Sequence, residues 1–164
     1  MFKFEKLVFG DLGWGDEFLF ATLMTITVSI LSMGLGLCLA ILTVWAKLIT
    51  NRITRLIANF YTTVVRGIPE LLVIYLIFFG GNTVVMSIAK LFGYHGYIEL
   101  NALTIGTIAI GFISATYSSE VLRAAYLAVN KGQIEAAKVL GLNKFQIFFK
   151  VMGPQILRHA LPGI

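Results

Sequence analysis

The run FLFATLMTITVSILSMGLGLCLAILTVWA, from Phe18 to Ala46, carries no Asp, Glu, Lys, Arg or His. About 20 predominantly apolar residues are enough for a helix to cross a bilayer. The run therefore predicts a transmembrane helix with length to spare for tilt, and it decides the class of the protein. Composition agrees. Of 164 residues, 58% are hydrophobic and 13% charged, where soluble domains carry roughly a quarter charged residues. The run is too long for the core of a secretory signal, and acidic Asp16 and Glu17 precede it rather than a basic segment. The single cysteine, Cys38, lies inside it and leaves no disulfide framework. Gly34 and Gly36, with Ser29, Ser32 and Ala40, form a small-residue set suited to helix–helix contact in lipid. Glycine is also simply frequent in membrane helices.

Before this run, residues 1–17 are short and mixed in charge. After it, Lys47 to Arg55 is a basic loop with Lys47, Arg52 and Arg55 and no acid. Leu56 to Phe79 is a second span, interrupted by Arg66-Gly67-Ile68-Pro69-Glu70 and ended by Gly80-Gly81-Asn82. Thr83 to Phe92 is apolar but too short to cross, and predicts a helix lying at the interface. A turn follows from Gly93 to Glu99. Tyr94, His95 and Tyr97 in it suit an interfacial belt, and His95 reads as an interfacial or capping residue rather than a metal ligand. Leu100 to Ser119 is a third span, with Gly106, Gly111, Ser114 and Ala115 available for packing. Residues 120–158 form a large polar loop, and His159 to Ile164 resembles the entry to a fourth span. The expected fold is all-α: a polytopic membrane helical bundle forming one transmembrane domain, with three spans and the start of a fourth.

The net charge of +5 does not call for nucleic acid; in a membrane protein its placement matters. Lys47, Arg52, Arg55, Arg123, Lys131, Lys138, Lys144, Lys150 and Arg158 fall in the first and last loops. Only Lys3, Lys6 and Lys90 fall in the N-terminal segment and the 80–99 loop. Positive loops stay cytoplasmic. The N-terminus is therefore expected outside and the 120–158 loop inside.

Within that loop, Lys131 to Pro154 carries charge at regular intervals. Gly141 suits the left-handed turn that ends a helix begun near Gln133. Asn143 can cap a second helix, and Gly153-Pro154 is expected to stop it. Ala136 and Ala137 leave one side of the first helix almost bare, as a docking surface would be.

These residues carry a family resemblance. Glu135-Ala136-Ala137, three residues, then Gly141 resembles the EAA loop of ABC-transporter importer permeases. The family pattern continues with Ile, any residue, Leu and Pro, where this chain has Val151, Met152, Gly153 and Pro154. Gly153 in the Leu slot is a departure. Arg66-Gly67-Ile68-Pro69-Glu70 is similar to a segment of permeases for polar amino acids, in the branch serving histidine, basic amino acids and opines such as octopine and nopaline. Ser119-Glu120 through Arg123, then Lys131-Gly132-Gln133, resembles the approach to the same loop. The resemblance implies a multi-pass protein of a bacterial inner membrane with the type I importer permease fold, normally about five spans. It implies partners: ABC ATPase subunits that bind ATP, a second permease subunit, a periplasmic solute-binding protein and membrane lipid, with no nucleic acid. It assigns ATPase coupling to Glu135, Ala136, Ala137, Gly141 and Pro154. No cofactor, metal or catalytic residue is expected in this chain itself.

Arg66 and Glu70 are four apart and would share a face of a helix. Ionisable residues inside a span face a partner or an aqueous cavity. With Pro69 between them, they are candidates for the substrate pathway or gate; a structural ion pair fixing a kinked helix is the alternative. Three functions follow in order. The first is a permease subunit of an ATP-driven amino-acid importer, and the chain has no phosphate loop of its own. The second is a non-functional truncated remnant of such a permease, since the chain stops at Ile164. The third is a membrane-embedded enzyme, disfavoured because only His95 and His159 are present and they fall on opposite sides.

Overall fold

A computed structural model describes residues 13–94, 96 and 101–164. Three helices are long and apolar enough to cross a membrane: α1 (Gly15–Leu48), α3 (Glu70–Leu91) and α4 (Ala102–Ala128). A shorter helix, α2 (Arg52–Gly67), lies between the first two. After α4 come α5 (Lys131–Val139), α6 (Lys144–Gln146), a π-helical turn at Ile147–Met152, α7 (Gly153–Ala160) and a 3₁₀ turn at Leu161–Gly163. No strand occurs among the described residues. Residues 1–12, His95 and Tyr97 lie outside them.

α1 and α4 form the central pair. At 1.5 Å per residue, the 34 residues of α1 are about 51 Å long, well beyond a bilayer core of about 30 Å. Ser32, Gly36, Ala40, Thr43 and Lys47 are its buried stripe. Gly36 sits where an added Cβ would lie 3.1 Å from Ser114 Cβ and 3.2 Å from the Gly111 carbonyl, and a Cβ on Gly111 would meet Leu35 at 3.0 Å. Gly36 thus approaches residues 111 and 114, while Lys47 approaches Glu120. Position rises together on both helices, so α1 and α4 run parallel, as helices separated by one return crossing must. The small-residue expectation holds for Ser32, Gly36 and Ala40. It fails for Gly34 and Ser29, which are both exposed.

The second span expected at 56–79 is divided at its expected interruption into two helices, and only the later one is long and apolar enough to cross. α2 ends at Gly67, Ile68 is extended (φ −103°, ψ 142°), and α3 starts after Pro69. The cause is local: Pro69 crowds the residue before it out of the α region and has no N–H to continue the ladder. Conversely, Gly80-Gly81-Asn82 does not end a helix, and Thr83 to Leu91 is no separate interfacial piece; α3 runs through both. In an apolar environment the intrahelical hydrogen bonds outweigh glycine's poor propensity. α3 is antiparallel to α4: Val73 packs with Ile113, and a Cβ on Gly81 would contact Ile105.

α4 also exceeds the expected span of 100–119. It continues to Ala128 through Glu120, whose charge is paired with Lys47 and Arg123. The polar segment is therefore shorter than 120–158. It is a helix–turn–helix with its own core of Val129, Ala137, Ile147 and Met152, flanked by Tyr126, Ile134, Leu142, Val151 and Ile156. Gly153-Pro154 does not stop its second helix. The backbone widens into a π turn, and the Gly153 N–H reaches the Phe148 carbonyl five residues back. Widening of this kind lets a helix carry a residue with no donor. A Cβ on Gly153 would stand 3.0 Å from that carbonyl, which explains glycine there. His159 and Ala160 lie in the last turn of α7, which runs on into the 3₁₀ turn at Leu161–Gly163.

Candidate functional site

Two places carry the candidate residues. The first is the helix–turn–helix. Asn130 caps α5 by accepting from the Gly132 N–H at 2.8 Å, one turn earlier than Gln133. Gly141 has φ +77°, the left-handed conformation that ends helices without a Cβ penalty. Asn143 and Gln146 then form a reciprocal capping box at 2.8 and 3.0 Å. Gln155 donates to Gln133 and ties α7 back to α5. A rigid corner results.

Its exposed face differs from the expected one. Glu135 and Ala136 are exposed, but Ala137 is 5% exposed and belongs to the internal core. On a helix, adjacent residues point about 100° apart, so the two alanines cannot share one face. The apolar surface lies at the corner instead. Val139 is 88% exposed, Leu140 77% and Phe145 72%. Phe145 and Phe149 have ring centroids 4.4 Å apart, and exposed Lys138 and Lys144 flank the corner. Contiguous exposed apolar side chains rimmed by charge mark an interaction surface. Pro154 is exposed on the second helix. Sequence reasoning missed Val139, Leu140 and Phe145, although their position beside Gly141 was the available signal.

The second place is the α2–α3 break. Arg66 lies in the last turn of α2 and Glu70 opens α3. A cation at a helix C-terminus and an anion at an N-terminus both match the helix dipoles. The two residues are on different helices, so the shared-face expectation does not apply. The ion pairs among the described residues are Lys47–Glu120 and Arg123–Glu120, not Arg66–Glu70. Tyr117 of α4 stands between the two instead. The Arg66 guanidinium lies 5.3 Å from the Tyr117 ring centroid, a cation–π distance, and Tyr117 and Glu70 face one cavity. Arg66 and Tyr117 line an open cavity of about 450 Å³ with Thr62, Thr63, Gly67 and Glu120. Glu70 and Tyr117 line a smaller one of about 220 Å³. Arg66 and Glu70 thus present opposite charges to two separate cavities that share Tyr117. Pro69 shapes this place by making the break. Tyr117 was missed by sequence reasoning; the polar run Thr116 to Glu120 inside an apolar helix was its signal.

A family model, the binding-protein-dependent transport system inner membrane component, matches residues 32–164. The nopaline transport system permease protein NocQ of Agrobacterium fabrum is 47% identical over 159 residues, covering 96% of this chain and 67% of the relative. The octopine transport system permease protein OccQ of Rhizobium meliloti is 42% identical over 160 residues, covering 98% and 68%. A chain in a crystal structure of an amino acid ABC transporter with histidines superposes with a TM-score of 0.65 at 29% identity, covering 85% of this chain and 60% of that one. The chain thus spans about two thirds of the length of these curated relatives.

Proposed function

The chain belongs to the family of binding-protein-dependent transport system inner membrane components, and from that premise we propose that it is the permease subunit of an ATP-driven importer of polar amino acids. It is a transport subunit and not an enzyme, as its relatives are. The names of those relatives support cargo of the opine or basic amino-acid class. In this reading ATP is bound and hydrolysed by a partner ATPase, a second permease subunit completes the path, and a periplasmic binding protein delivers the cargo. In the same reading the N-terminus is outside and the helix–turn–helix in the cytoplasm, where an ATPase can reach it; the bias of basic residues toward the first and last loops supports this.

One observation carries the coupling role. The helix–turn–helix has a core of its own, so its corner is stiff, yet Val139, Leu140 and Phe145 at that corner have nothing from this chain against them that buries them. A stiff apolar knob flanked by lysines fits a cleft with an apolar floor and an acidic rim on the ATPase. Glu135, Ala136 and Gly141 shape that knob, Ala137 holds it from inside, and Pro154 sets the second helix. At the break, Arg66 and Glu70 with Tyr117 offer opposite charges to the carboxylate and ammonium of a passing amino acid. The test is uptake into proteoliposomes holding the permease, ATPase and second permease subunit, with binding protein and ATP. Labelled nopaline, octopine, arginine or histidine should accumulate only with ATP present. No ATP-dependent accumulation of any of them overturns the proposal.

A further inference from the structure

Lys47 at the end of α1 has a side chain only 3% exposed. Its ammonium donates to Thr62 Oγ1 of α2 at 2.7 Å and pairs with Glu120 Oε1 of α4. Thr62 Oγ1 is itself anchored to the Ala58 and Asn59 carbonyls at 3.2 Å. The other Glu120 oxygen accepts from Arg123 Nε at 3.1 Å. One buried side chain therefore ties three helices together. Buried ion pairs contribute little net stability, because removing both charges from water offsets most of their attraction. What such a pair does well is favour one arrangement of its helices over others, since a shifted helix would strand a buried charge.

Glu120 and Tyr117 are three apart on α4 and so lie on neighbouring turns of one side. Tyr117 carries Arg66 at the α2–α3 break. α4 runs unbroken from there to Ala128, and only Val129 and Asn130 separate it from α5. We propose that Lys47–Glu120 is a positioning latch: it holds the distal length of α4 against α1 and α2, and its hold links movement of the helix–turn–helix to the break at Arg66 and Glu70. The inference rests on the permease reading. Lys47 does not line the cavity beside Arg66 and Tyr117, whereas Glu120 does; the latch acts through Tyr117 and Arg66.

The variants have an order that the burial dictates. Glu120→Gln strands a lysine whose remaining partner is Thr62, whereas Lys47→Met leaves Glu120, 29% exposed, still bonded to Arg123. Glu120→Gln should therefore lower the melting temperature of the purified transporter more than Lys47→Met does. The double variant Lys47→Met/Glu120→Gln has no stranded charge and should melt near wild type. A latch role shows in a different readout, the ratio of binding-protein-stimulated to basal ATP hydrolysis in proteoliposomes. That ratio should fall about fivefold in the double variant, within the range that coupling residues command. A double variant with wild-type melting and a wild-type ratio overturns the latch. Should the double variant fail to fold, Thr62→Val decides: it keeps both charges and unties α2, so the ratio should fall again, and an unchanged ratio overturns the proposal. A wild-type transporter without ATP-driven uptake is the separate failure of the permease reading, seen before any variant is made.

Discussion

Arg66 holds its guanidinium 5.3 Å from the centre of the Tyr117 ring and makes no ion pair with Glu70. Both charges that flank Pro69 stand near Tyr117 of another helix, Arg66 over its ring and Glu70 across a shared cavity. Double-mutant cycles on melting stability test this. Any coupling between Arg66→Gln and Glu70→Gln should vanish in a Tyr117→Leu background, where the two changes should add to within about 0.5 kcal/mol. Coupling that persists without Tyr117 would mean a direct pair.

The α1–α4 contact separates two glycines that look alike in sequence. Gly36→Ala places a methyl 3.1 Å from Ser114 and should cost about 1–3 kcal/mol by overpacking. Gly34→Ala meets nothing within 4 Å and should be neutral or stabilise by up to about 1 kcal/mol through helix propensity. Thermal unfolding in detergent reads both. Equal effects would contradict the packing of these helices.

A methyl at Gly153 would press on the Phe148 carbonyl inside the π turn. Gly153→Ala should therefore destabilise the helix–turn–helix by roughly 1–3 kcal/mol, with faster proteolysis around residues 144–160 as the readout. Gly141→Ala has free space but an unfavourable positive φ, and should cost about 1–2 kcal/mol. A Gly153→Ala protein as protease-resistant as wild type would contradict the π turn.

Much of this was legible in the sequence because it is local. The uncharged run from Phe18 needed only a length, and Gly141 and Asn143 act on their nearest neighbours. The expected cap at Asn143 is there with its box partner Gln146. The interruption at Pro69 was legible too, but the end of the second span was misread because Gly80-Gly81-Asn82 was given more weight than the apolar run on either side of it, which α3 follows to Leu91. Lys47 was counted as a loop charge, since nothing local shows that Glu120, seventy-three positions away, neutralises it. Ala137 was assigned to a bare surface because small residues look alike whether they face a partner protein or pack inside; only the fold of α6 and α7 over α5 distinguishes the two. Tyr117 was overlooked for the same reason: its partners, Arg66 and Glu70, belong to other helices.

The claim that the exposed corner engages the ATPase is tested most directly by co-purification of the coexpressed ATPase with variants of the permease. Burying a leucine side chain gives roughly 1.5–3 kcal/mol, so Leu140→Asp should weaken the complex roughly 10- to 100-fold while the permease melts as wild type does. Ala137→Trp should instead lower the melting temperature first, because Ala137 packs inside the helix–turn–helix, and lose the ATPase only as a consequence. A Leu140→Asp permease that retains the ATPase and couples hydrolysis to uptake as well as wild type would contradict the account.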